Sequence, residues 1–158
     1  MNYSFVIRKA VVEDAYAIQN IIRESFKKYM EDSGIPGPME ALEESIDDIK
    51  RDIVQKEVFI ALIDDVPVGS IRVQILPDNT ARISRFGVRL QYHNNGIGKS
   101  LMNLVDKLLI SRGVKRVSLY TASKHADLMR FYYGRGFYID STTRDRGYIR
   151  ALLVKEYE

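Results

Sequence analysis

The chain has 158 residues, 46% of them hydrophobic and 28% charged, with a formal net charge of +3. That is the profile of one folded domain over residues 1–158, not of a disordered tail or a strongly basic nucleic-acid binder. There is no cysteine, and the only histidines are His93 and His125, which excludes a disulfide framework and a cysteine nucleophile and leaves a metal centre without its usual donors.

Tyr3, Phe5 and Ile7 alternate with Ser4, Val6 and Arg8, which predicts an opening strand. Ile18, Ile21, Ile22 and Phe26 follow at helical spacing, with Glu13 and Asp14 at the positive end of that helix. Ser33 to Pro38 must break it. A second helix is expected from Met39 to about Val54, its apolar face carrying Leu42, Ile46, Ile49 and Ile53. The run Val58 to Ile63 reads as a buried strand, Asp64-Asp65 as a turn, and Val68 to Leu76 as the returning strand of a hairpin. Ala81 to Val88 is a further strand. Gly96 opens a helix with Leu101, Leu104, Val105, Leu108 and Leu109 on one face, and Gly113 stands where its end would be capped. Val117 to Thr121 reads as a strand, Ala126 to Tyr133 as a short helix, and Phe137 to Ile139 and Tyr148 to Val154 as strands. This order predicts a mixed α+β sheet. No apolar run approaches the roughly 18 residues of a membrane span. Met1 to Ala10 lacks the apolar stretch of a signal peptide. A cytoplasmic location is expected, with no membrane or nucleic acid as partner.

The stretch Phe86-Gly87-Val88 ends a strand. A polar loop through His93, Asn94 and Asn95 follows, and Gly96-Ile97-Gly98-Lys99-Ser100 opens the helix. The first amides of a helix have no internal partner, the dipole is positive there, and glycines let a phosphate come close. Lys99 and Ser100 add a cation and a hydroxyl. A P-loop would need glycine where His93 stands, and a dinucleotide fingerprint would need a small residue where Leu101 stands.

The segment resembles instead the cofactor loop of the GCN5-related N-acetyltransferase (GNAT) family. Val88, Tyr92, Gly96, Ile97, Gly98 and Leu101 match. His93 replaces the usual Arg or Gln, and Asn94 a frequent Gly. A later stretch, with Phe131-Tyr132 and then Gly136-Phe137, is similar to the family's second motif, with His125 where Asn is common. Ile7-Arg8-Lys9-Ala10, Glu13-Asp14-Ala15 and Val68-Gly69 extend the resemblance over essentially the whole chain.

The resemblance implies a central mixed, mostly antiparallel sheet of about 6–7 strands with about four helices. It also implies two splayed parallel strands, ending near Val88 and Thr121, at the cofactor cleft. It implies acetyl-CoA as cosubstrate, no metal, and acetyl transfer to a primary amine of a small molecule or a peptide or protein. The cofactor contacts carried over are Phe86, Gly87, Val88, the run His93 to Ser100, His125 and Tyr132. The Val88 N–H takes the oxyanion role and Tyr132 that of general acid, a phenol being protonated at neutral pH. Tyr133 is read as packing. Ala81 to Val88 offers Arg82, Ser84 and Arg85 but no carboxylate, so the base is a water relay or comes from elsewhere, with Glu40, Glu43 and Asp140 as candidates. Residues 29–52 and 141–148 are expected to frame the acceptor, with Arg144, Arg146 and Arg150 in or near the tail and Tyr29, Tyr92, Tyr120 and Tyr148 along the cleft. A non-catalytic acetyl-CoA sensor is the alternative, motivated by His93 and the missing base. A monomer or a homodimer is expected.

Overall fold

The computed structural model describes residues 4–158; Tyr3, assigned above to the opening strand, lies outside them. Seven strands form one sheet in the order β1-β2-β3-β4-β5-β7-β6. They are β1 (Val6–Lys9), β2 (Glu57–Ile63), β3 (Val66–Ile75), β4 (Thr80–Val88), β5 (Arg116–Ala122), β6 (Tyr138–Thr143) and β7 (Arg150–Glu156). Every neighbouring pair is antiparallel except β4 and β5. The helices are α1 (Ala15–Ser33), α2 (Glu40–Glu43), α3 (Ile46–Gln55), α4 (Ile97–Ser111) and α5 (Ala126–Gly134).

The period-two pattern of β2 divides the core. Val58 and Ile60 join Ile18, Ile22, Ile49 and Ile53 of α1 and α3 on one face. Phe59, Ala61 and Ile63 point the other way, into a larger core with Leu101, Val105 and Leu109 of α4 and Met129 and Tyr132 of α5. A strand covered on both faces is apolar at nearly every position, which is why Val58 to Ile63 reads as an unbroken run. The hairpin after it turns on Asp64 and Asp65, both at positive φ (48° and 65°), the geometry that matches the twist of the flanking strands.

The expected single helix from Met39 to Val54 is two. Glu44 is extended (ψ 127°), and Ser45 restarts the chain. Its Oγ accepts from the Asp48 N–H at 3.1 Å, while Asp48 Oδ2 accepts from the Ser45 N–H at 3.0 Å. This reciprocal cap satisfies the first amides of α3. The break also turns the Glu44 carboxylate inward to Arg72 of β3, whose side chain is 0% exposed. Two bonds of 2.7 Å join the guanidinium to Glu44, and Asp52 of α3 adds a third at 2.9 Å. A buried guanidinium is tolerable only with such partners. The network ties the α2–α3 segment to the sheet.

Glu44→Gln preserves shape but removes the charge that neutralises Arg72. It should lower the unfolding free energy in urea by about 3 kcal/mol, the cost of breaking a buried pair from one side. A loss below half that value would mean Asp52 alone suffices.

Candidate functional site

β4 and β5 are hydrogen-bonding neighbours only from Thr80↔Arg116 through Arg82↔Ser118. Beyond that seam they separate. The register of β4 on β3 shifts between Ser70 and Arg72, so that Arg85 and Phe86 together oppose Ile71. Arg85 takes φ +50°, a left-handed conformation unusual for a residue with a Cβ. An inserted residue bends and twists a strand, and here it bends β4 where β5 would otherwise continue alongside.

The parity of the ladder then decides where the backbone of β4 points. Arg89 donates its N–H to Val68 C=O at 2.8 Å, which makes that pair the hydrogen-bonded one. Val88, opposite Gly69, is therefore a non-bonded pair, and its N–H and C=O face away from β3 into the wedge. By the same alternation Gly87 faces Ser70. Gly87 lies under α1, where an added Cβ would sit 2.9 Å from Ser25 Oγ.

Two side chains occupy backbone groups on the open edges. His93 Nε2 stands 2.8 Å from Val88 O; a carbonyl only accepts, so the imidazole donates. The His93 amide itself is bonded to Leu90 C=O at 3.2 Å. On the opposite wall, Tyr29 of α1 reaches across to accept the Ala122 N–H at 2.7 Å. Burial is the first cause that raises the Tyr29 pKa, partly offset by the Ala122 N–H, so the phenol stays protonated. Among the described residues no side chain bonds the Val88 N–H.

At the mouth of the wedge α4 begins. Gly96 precedes it at φ +80°, and no side chain caps the helix. The amides of Ile97, Gly98 and Lys99 thus keep their donors. The Ser100 amide does not, because it already bonds Gly96 C=O at 3.0 Å. Gly98 is needed for contact: a Cβ there would lie 3.1 Å from Phe86 Cζ.

Tyr132 of α5 forms the floor. It is 5% exposed, with ring centroids 5.4 Å from Phe131 and 5.6 Å from Phe137. Burial, then the nearby Tyr29, pushes its pKa well above the usual phenol value. Tyr133, expected to pack, is 47% exposed; the helix rotates it outward and turns its neighbour in. His125 caps α5, its Nδ1 accepting from the Leu128 N–H at 3.3 Å, so in the neutral ring Nε2 carries the hydrogen. That nitrogen lies 4.0 Å from Asp32, and the ring stacks on Tyr29 at 5.7 Å.

These elements enclose a cleft of about 1370 Å³, larger than the 300–1,000 Å³ typical of drug-sized ligands. Phe86, Gly87, Val88, His93, Asn94, Gly96, Ile97, Gly98, Lys99, His125 and Tyr132 line it, as do Tyr29, Tyr92, Tyr120 and Tyr148. Asn95 and Ser100 lie off its wall; the Asn95 amide is turned to His93 C=O at 3.4 Å. Glu40 lines the cleft but pairs with Arg146 at 3.2 Å. Glu43 belongs to a neighbouring groove with Glu44 and Asp48. Asp140, on β6, pairs with Arg116 at 3.1 Å outside the cleft. Among the described residues no cluster of His, Asp or Glu fits a metal ion, and no helix is long and apolar enough to cross a membrane.

Residues 16–137 match the model of the acetyltransferase (GNAT) family. The chain is 27% identical over 150 residues to a spermidine N(1)-acetyltransferase of Thermoplasma acidophilum, covering 88% of this chain and 91% of that protein. Its fold superposes on the crystal structure of the PaiA N-acetyltransferase of the same organism, in complex with coenzyme A, with a TM-score of 0.85 and 26% identity over 98% and 99% of the two chains. A GNAT-family acetyltransferase of Staphylococcus aureus shares the fold at a TM-score of 0.78, with 16% identity over 98% and 100%.

Tyr29→Phe would leave the Ala122 N–H without its acceptor. The expected cost is about 1–3 kcal/mol of unfolding free energy, read by urea denaturation against the unchanged chain. No change would show that water replaces the hydroxyl.

Proposed function

Because the chain belongs to the GNAT family of acetyltransferases, we propose that it moves the acetyl group of acetyl-CoA onto the primary amine of a small molecule or a peptide. The observation that carries this reading is the wedge between β4 and β5, where the Val88 N–H opens toward the uncapped N-terminus of α4. An extended amide-bearing chain can pair with such an edge as an added strand, and a pyrophosphate can sit on the helix start. Ile97, Gly98 and Lys99 would hold the phosphates, His125 Nε2–H would donate to the arm, and His93 would leave Val88 O as the arm takes its place.

Acetyl-CoA supplies an acyl carbon activated as a thioester. The N–H group of Val88 faces the space where negative charge would build on its carbonyl oxygen, and a fixed donor of this kind stabilises it without reorganisation. The acceptor attacks as a free amine, forming the C–N bond while the C–S bond breaks. Tyr132, a buried phenol on the floor of the wedge, then protonates the departing sulfur. The ammonium proton leaves through water. The carboxylates at the acceptor side each face a cation, which supports a relay over a direct base. The polyamine acetyltransferase among the relatives supports an amine acceptor.

Calorimetry should show acetyl-CoA binding and no ATP binding, and thiol release should appear with at least one amine in a panel. Tight ATP binding without acetyl-CoA binding would reverse the assignment. Tyr132→Phe should lower kcat by about 10²-fold or more, the scale of general acid catalysis, with acetyl-CoA affinity nearly unchanged. Unchanged turnover would remove Tyr132 from the mechanism. Gly98→Leu, which drives side-chain atoms toward Phe86, should weaken acetyl-CoA binding at least about tenfold.

A further inference from the structure

Past the seam, on the face of the sheet that carries α1 and α3, Tyr120 projects from β5 into the cleft. Two guanidiniums lie on its ring. Arg82 of β4 sits 4.9 Å from the centroid and Arg150 of β7 sits 4.2 Å from it. Arg82 is fixed by a 2.8 Å bond from Nε to Ser118 Oγ, which leaves its two terminal nitrogens for something else. Arg150 is 12% exposed, meets Asp145 at 3.1 Å, and keeps a buried Nε with no partner.

At this end of the cleft, Arg82 alone among the described cations has no carboxylate partner. The carboxylates lining the same end, Glu40, Asp52 and Asp145, are each already matched to a cation. An anion entering there displaces nothing, whereas a polycation would have to break those pairs. Stacking on tyrosine and a hydrogen bond to serine hold the Arg82 fork in place, and a fixed fork suits the two oxygens of a carboxylate or phosphate. Four residues of strand, about 13 Å, separate Arg82 from Phe86, so one small molecule can reach both.

Resting on the acetyltransferase reading above, we infer that the acceptor is a small amine bearing an anionic group, a carboxylate or a phosphate, which Arg82 and Arg150 hold around Tyr120. Ser118 and Tyr120 are positioning residues. The anion sets the orientation, and the amine end of the same molecule is presented to the wedge beside Phe86 and Val88.

The test compares matched amines on the full chain with saturating acetyl-CoA, by thiol release. 5-Aminopentanoate is set against 1-aminopentane, and O-phosphoethanolamine against ethanolamine, with spermidine as the polycation. The anionic member of at least one pair should exceed its neutral counterpart at least about tenfold in kcat/KM, the scale of hydrogen bonds to a charged group. Which pair discriminates tells carboxylate from phosphate. Arg82→Gln should collapse that ratio, chiefly through KM, and Arg82→Glu should invert the order in favour of spermidine; thermal melting checks that both variants are folded. Calorimetric titration of the CoA-saturated chain with the same pairs should show the same preference without relying on turnover. Equal use of both members of each pair, or preference for spermidine by the unaltered protein, would overturn the inference and leave the transferase reading standing. Absence of acetyl-CoA binding and of thiol release with every amine would overturn both.

Discussion

A sheet that parts between two neighbouring strands exposes backbone N–H and C=O groups that interior strands otherwise pair, and buried groups of that kind are costly without partners. In this chain the parting begins after Arg82↔Ser118, and most of the site answers to it. The extra residue at Arg85 bends β4 away. Tyr29 crosses from α1 to accept from Ala122, and His93 folds back onto Val88 O. The chain thus closes parts of both edges with its own side chains and leaves the Val88 N–H open, next to a helix start whose amides are likewise unclaimed.

Much of this was legible in the sequence because it depends on local pattern. The unbroken apolar run of β2, the acidic turn after it, the glycines opening α4 and the apolar stripe along that helix all express the geometry of their own segment. The strand that ends at Val88 and the helix that presents Tyr132 could be placed the same way. What escaped depends on partners far along the chain. Tyr29 and Ala122 are 93 residues apart, and nothing around Tyr29 marks it as the acceptor for an amide on β5. His93 stands at the position where phosphate contact was expected, but the 3₁₀ turn at Leu90–Tyr92 uses its amide and directs its ring to Val88. The break between α2 and α3 did leave a local signal, in Ser45 followed three residues later by Asp48. The apolar spacing of Leu42, Ile46, Ile49 and Ile53 ran through it and suggested a continuous helix.

The wall of the cleft built by α2 and α3 differs from the wall built by α4. Around α4 the contacts are apolar and close, as at Gly98 against Phe86. Around α2 and α3 they are ionic. Arg72 is fully enclosed by Glu44 and Asp52, and Arg85 reaches the same Glu44 at 3.5 Å. Charges committed to one another in this way fix the position of a segment whose own helices are short.

The parallel seam has one more consequence. β1 to β4 form one antiparallel block and β5, β7 and β6 another, and within the sheet the two are stitched together over only Thr80–Arg82 and Arg116–Ser118. So short a seam is a flexural weak line. Bending about it strains few backbone bonds. A chain bound as an added strand along the open edges would brace the two blocks across that line.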